Sequence, residues 1–79
     1  MYTRFITYDL NYASNDDYNE LYKLLEGYKS KKITESTYQI DTSESLEVFK
    51  NKFYKATHNG DNVKVIIKTD KGMEVRVIR

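Results

Sequence analysis

The residues best placed to do chemistry begin with Asp9, which ends a mostly apolar first run, Tyr2-Thr3-Arg4-Phe5-Ile6-Thr7-Tyr8-Asp9-Leu10-Asn11. A carboxylate buried without a partner costs several kcal/mol or is driven to protonate. An acid here therefore marks a strand end facing something polar: a metal ion, a partner subunit, a backbone turn or water. Asp16 and Asp17 form a second acidic pair, but acids just ahead of a helical pattern serve as caps far more often than as ligands. Lys29, Lys31 and Lys32, and separately Arg76 and Arg79 with Lys64 and Lys68, could track a phosphate backbone, although the usual fate of such residues is a solvated surface. Tyr2, Tyr8, Tyr12, Tyr38 and Tyr54 are candidates for base stacking or subunit contact. His58 falls near a helix C-terminus, where the dipole accounts for it better than acid-base catalysis does.

Composition removes whole classes of site. The 79 residues include no cysteine and a single histidine, so there is no disulfide framework, no thiolate zinc site and no Cys-His nucleophile within one chain. Three scattered glycines form no phosphate loop. Net charge is +1 with 32% charged residues, which is neither a strongly basic nucleic-acid binder nor an acidic mimic. No apolar run reaches the roughly 20 residues of a membrane span. The expectation is one cytoplasmic domain over residues 1–79 with no membrane partner and a core thin enough to favour oligomerisation.

The elements that must position these residues follow from periodicity. Residues 2–10 read as a central strand, apolar on parts of both parities. Ser14, Asn15, Asp16 and Asp17 offer helix caps, and Tyr18, Leu21, Tyr22, Leu25 and Tyr28 recur at helical spacing, with Gly27 near the end. Lys29 to Lys32 reads as a basic link. Residues 33–41 have strand propensity, but their alternation slips near Glu35-Ser36, which predicts two short antiparallel strands. Thr42 and Ser43 are candidate caps for a second helix with Glu44 and Glu47 in its first turn, and Leu46, Phe49, Phe53 and Ala56 form its stripe. Asn59-Gly60 stops it. Residues 62–69 alternate as a half-exposed strand, Asp70-Lys71-Gly72 has turn chemistry, and residues 73–79 alternate again.

This order predicts an α+β fold, a two-layer ferredoxin-like sandwich of pattern βαββαβ plus a C-terminal strand, with both helices on one face of an antiparallel sheet. The opposite face is then bare. In so small a chain, that face predicts a homodimer in which open faces or C-terminal hairpins meet.

Three local runs add a resemblance. Tyr8-Asp9-Leu10 at the end of the first strand, Ser36-Thr37-Tyr38-Gln39, and Asp61-Asn62-Val63-Lys64-Val65 resemble the corresponding runs of the CRISPR-associated protein 2 family and its stand-alone relatives, including interferase-type ribonucleases of toxin–antitoxin systems. First-helix arginines usual in that family are absent from residues 17–27, and Ser30 and Thr34 replace an expected glycine and glutamine, so the likeness is nearer to the stand-alone relatives. The resemblance implies a homodimeric metal-dependent endonuclease, an endoribonuclease in some members, acting on RNA or DNA. Paired Asp9 carboxylates would hold Mg²⁺ near the two-fold axis, with Lys31, Lys32, Arg76 and Arg79 toward nucleic acid and Tyr8 and Tyr38 toward the interface. The alternatives are a non-catalytic dimeric adaptor or regulator that binds a protein partner, encoded by a phage or mobile element against host defence, and a nucleic-acid binder without catalysis.

Overall fold

A computed structural model describes residues 1–11 and 15–79, the side chain of Asn15 excepted. The cap expected at Ser14 or the Asn15 side chain, and the stacking role considered for Tyr12, lie outside the described residues. The elements run β1 (Tyr2–Asp9), α1 (Asn15–Glu26), β2 (Lys29–Thr34), β3 (Thr37–Thr42), α2 (Leu46–Lys55), β4 (Asn62–Thr69) and β5 (Gly72–Val77). They build a five-stranded antiparallel sheet in the order β2-β3-β1-β4-β5. Its centre is the strand that ends in Asp9.

Strand alternation sorts the sheet into two unlike faces. Ile6 and Tyr8 of β1, Ile40 of β3, and Val63 and Val65 of β4 point to one side. There they form a single cluster with Leu21 and Leu25 of α1 and with Phe49 and Phe53 of α2. Both helices therefore pack on one face. The aromatic centre of this core is tight: the Phe49 and Phe53 rings lie 4.9 Å apart and Tyr28 stacks on Phe53 at 6.0 Å. The opposite parity, Thr3, Phe5, Thr7 and Asp9 of β1 with Lys64, Ile66 and Lys68 of β4, faces away from the helices.

Three local expectations are corrected. Lys29 to Lys32 is not a link but most of β2, whose six residues are all exposed because it is an edge strand. Lysines suit such a strand, since their charge discourages further pairing along its free edge. The α2 cap is Ser45, whose hydroxyl accepts from the Val48 amide at 3.3 Å. Thr42 instead completes β3 and accepts from the Glu44 amide at 3.1 Å. Glu44 thus precedes the helix, and its carboxylate accepts from the Tyr28 hydroxyl and the Lys52 ammonium. The slip near Glu35-Ser36, by contrast, is the expected break between two short antiparallel strands: it is the turn joining β2 and β3, with an irregularity between Lys32 and Thr34.

The C-terminus is tied in by more than β5. Ile78 and Arg79 both donate to the Val63 carbonyl, at 2.8 and 3.1 Å, and the Val63 amide donates back to Arg79 at 3.2 Å. That returns Ile78 to the core side of the sheet. Gly60, at φ 94°, and Gly72, at φ 115°, occupy left-handed turns that other residues enter only with strain.

Candidate functional site

Asp9 closes the central strand opposite Asn62 of β4, and its parity sends the exposed carboxylate to the face without helices. It lines a shallow hollow of about 360 Å³ with Thr7, Tyr8, Ser36, Asn62 and Lys64. Two elements fix the shape of that hollow. The Tyr8 amide donates to the Ser36 carbonyl at 3.1 Å, drawing the β2-β3 turn against β1. The Thr37 hydroxyl donates to the Thr7 hydroxyl oxygen at 3.3 Å. The result is one carboxylate, an amide, two hydroxyls and one ammonium around an open concavity. These are hard oxygen donors with a nearby cation, a set that fits Mg²⁺ held by a carboxylate and several waters. Among the described residues, no group of three or more His, Cys, Asp or Glu side chains could hold a metal within one chain.

The interface candidates lie beneath this hollow. Tyr8 is only 6% exposed, and its ring stacks on Tyr38 at 6.4 Å with its hydroxyl donating to the Glu35 carbonyl at 3.4 Å. Burial, reinforced by the neighbouring Tyr22 and Tyr38 phenols, pushes the Tyr8 hydroxyl well above the ordinary tyrosine range. Tyr8 is thus a neutral core residue that shapes the floor under Asp9. Tyr38 is half-buried against the same core.

The four basic residues singled out for nucleic acid are not brought together. Lys31 and Lys32 belong to one outer strand and Arg76 to the other, about 19 Å apart across five strands at the usual spacing. Lys32 reaches Glu35 at 3.4 Å and Arg76 reaches Glu74 at 2.7 Å. Arg79 is committed to the end of α2. It donates to the Thr57 hydroxyl, the Asn59 amide oxygen and the Tyr54 carbonyl, each at 3.0 Å, and to the Thr57 carbonyl at 3.1 Å. Its guanidinium also lies 3.8 Å from the Tyr54 ring centre. Four of the five N–H donors of this side chain are therefore spent on helix carbonyls and their neighbours.

A different basic set does share a surface. Strand register places Lys31 beside Gln39, Gln39 beside Phe5, Phe5 beside Ile66, and Ile66 beside Val75 in one row across the helix-free face. Lys29, Lys64 and Lys68 flank that row, and none of these four lysines is in an ion pair among the described residues. The β5 half is apolar, with Met73, Val75 and Val77 exposed by 57%, 56% and 61%.

Two further polar residues have roles that the sequence reading did not assign. Asp61 is buried, and its carboxylate accepts the Asn11 amide at 3.0 Å and the His58 amide at 2.8 Å, which ties the end of β1 to the loop after α2. Arg4 is buried on the helix side of β1. Its parity, shared with Ile6 and Tyr8, was the available signal. His58 pairs through Nε2 with Asp17 at 2.8 Å, which joins the same loop to the start of α1.

Fold and site define a small α+β protein whose five-stranded antiparallel sheet carries two helices on one face and an acid-ended central strand open on the other. The chain matches no family model, no curated protein and no solved structure. Among the described residues no helix is long and apolar enough to cross a membrane.

Proposed function

We propose that the protein is a homodimeric phosphodiester-cleaving enzyme resembling CRISPR-associated protein 2, built on a ferredoxin-like βαββαβ unit with β5 appended to its β4 edge. The observation that carries this reading is the position of Asp9, an exposed carboxylate at the end of the central strand on the face left without helices. The apolar row through Phe5, Ile66 and Val75, extended by Met73 and Val77, supports a second copy covering that face. A single carboxylate per chain suits a cation shared between subunits, because Mg²⁺ keeps much of its water and accepts one or two carboxylates plus substrate phosphate. The metal would supply Lewis-acid stabilisation of the phosphate and a more acidic bound water. Asp9 orients and anchors it, and Lys64, lining the same hollow, neutralises phosphate charge.

The test is cleavage of single- and double-stranded RNA and DNA oligonucleotides in Mg²⁺. Asp9→Asn is expected to lower the rate by about a hundredfold or more while leaving the dimer mass unchanged, since it removes a metal ligand from the surface and nothing from the core. Cleavage that persists in that variant, or in excess chelator, sinks the reading.

A second reading is favoured by the four lysines of the helix-free face and by the lining of the hollow, to which Asp9 contributes the one carboxylate among the described residues. In it, the protein is a binder of nucleic acid, or a dimeric adaptor for a protein partner, without hydrolysis. It predicts tight capture of uncleaved oligonucleotide, with affinity falling steeply with salt. Salt-insensitive capture of a protein in place of nucleic acid would select the adaptor.

A further inference from the structure

At the opposite end of β1 from Asp9, the first turn of α2 and the paired ends of β1 and β4 enclose a pocket of about 430 Å³ lined by Tyr2, Arg4, Leu46, Ile67 and Lys68. Arg4 is only 5% exposed, and its Nη1 is the one buried side-chain polar atom among the described residues without a hydrogen-bond partner. The guanidinium is held between two rings, 5.0 Å from the Tyr2 centre and 5.1 Å from the Phe49 centre. Rings orient a guanidinium but do not satisfy its N–H groups as an oxygen does. Glu44 feels the Arg4 charge, but its carboxylate takes its hydrogen bonds from Tyr28 and Lys52 and none from Arg4. A buried charged donor left unmet is costly, so native proteins rarely keep one unless something outside the chain meets it.

We propose that this pocket binds a small ligand carrying one oxyanion, phosphate or carboxylate, on a flat apolar body, with Arg4 as the anchor. Lys68, which has no ion pair among the described residues, adds a second positive charge at the rim. Asp70 at the same rim offsets one charge, leaving the mouth net positive toward an anionic head group. Leu46, Ile67 and the Tyr2 ring supply walls for a planar group. Tyr2 is 59% exposed and its ring lies over the guanidinium, so a head group reaching Arg4 would displace an exposed ring and no core side chain. The pocket falls in the size range of small-molecule sites and is larger than inorganic phosphate needs. Leu46 also opens α2 here, and the free amides of a helix start favour an anion on the same side.

The experiment is an NMR titration of the full chain with inorganic phosphate, adenosine monophosphate and benzoate, following the backbone amides of Thr3, Arg4 and Leu46 and the Arg4 guanidinium. Saturable shifts from a ring-bearing probe at about millimolar concentration or below, weakened about tenfold or more in Arg4→Met, are the expected result. Which of the two ring-bearing probes saturates separates a phosphate head from a carboxylate. Three results overturn the proposal: no saturation by any probe, shifts undiminished in Arg4→Met, or phosphate alone binding as tightly as the ring-bearing probes. Should Arg4→Met fail to fold, Lys68→Glu on the exposed rim decides: lost affinity supports the site, and unchanged affinity refutes it.

Discussion

Asp61 is a polar residue whose loss the fold should feel. Its one carboxylate satisfies two backbone amides from segments 47 positions apart, at Asn11 and His58. Removing it leaves two part-buried backbone donors without their acceptor, which costs more than losing a surface contact. Asp61→Ala should therefore destabilise the protein by about 2 kcal/mol or more in urea unfolding, whereas Asp61→Asn, which keeps one oxygen, should lose less. Glu44 makes a different prediction, about pH. Burial by itself would raise its pKa, but the hydrogen bonds from Lys52 and Tyr28, with the Lys52 and Arg4 charges, outweigh it and hold the carboxyl below the usual glutamate range. A lowered folded value stabilises the protein above the unfolded pKa, and that stability is lost as pH falls through the folded one. Glu44→Gln should thus flatten the acid limb of the stability curve below about pH 4, while leaving the slope at neutral pH unaltered.

Among the elements, β5 stands out because it is an outer strand with apolar side chains on the helix-free face and, among the described residues, no strand beyond it. Arg76 and Glu74, paired on the other parity, keep the helix side of the strand polar. A row of exposed Met73, Val75 and Val77 beside free backbone groups is a surface that a second copy can cover. Val75→Lys is expected to halve the mass in solution, from twice 9.4 kDa to the single chain. The far-ultraviolet circular dichroism should be preserved, since Val75 is 56% exposed in the isolated chain. Equal masses for the two proteins would remove the dimer from the account, and a shared Asp9 site with it. By contrast, β2 carries lysines along its edge, which explains why only one end of the sheet invites extension.

Over the whole molecule, the tyrosines divide by environment. Burial first, then the Tyr22 and Tyr38 phenols, raises Tyr8, and burial first, then its hydrogen bond to the Glu44 carboxylate, raises Tyr28. A raised phenol means that the fold disfavours the phenolate, so stability is unaffected near neutrality and declines as pH climbs past about 10. Ultraviolet titration should show Tyr8 and Tyr28 ionising only with unfolding. If all eight tyrosines titrate together with the fold intact, the packing of this core is misjudged.

The order of elements was legible because it depends on local pattern. Tyr18, Leu21, Tyr22 and Leu25 can place their apolar bodies on one side only in a helix, and Val63, Val65 and Ile67 only in a strand. The α2 cap was misplaced by two or three residues because Thr42, Ser43 and Ser45 are chemically equivalent as sequence, and only the end of β3 at Thr42 decides among them. Sequence alone fixed Asp9 as a strand-ending acid with no internal reason to be there. Tertiary structure alone decided its company, because Ser36, Asn62 and Lys64 reach it through pairings whose partners are set by the packing of two helices on one face. The same holds for the basic residues. Lys31, Lys32, Arg76 and Arg79 look alike in a sequence, but Arg79 becomes a helix cap and Lys64 a wall of the hollow, since the distances that give a charge its role span the fold and leave no trace in neighbouring residues.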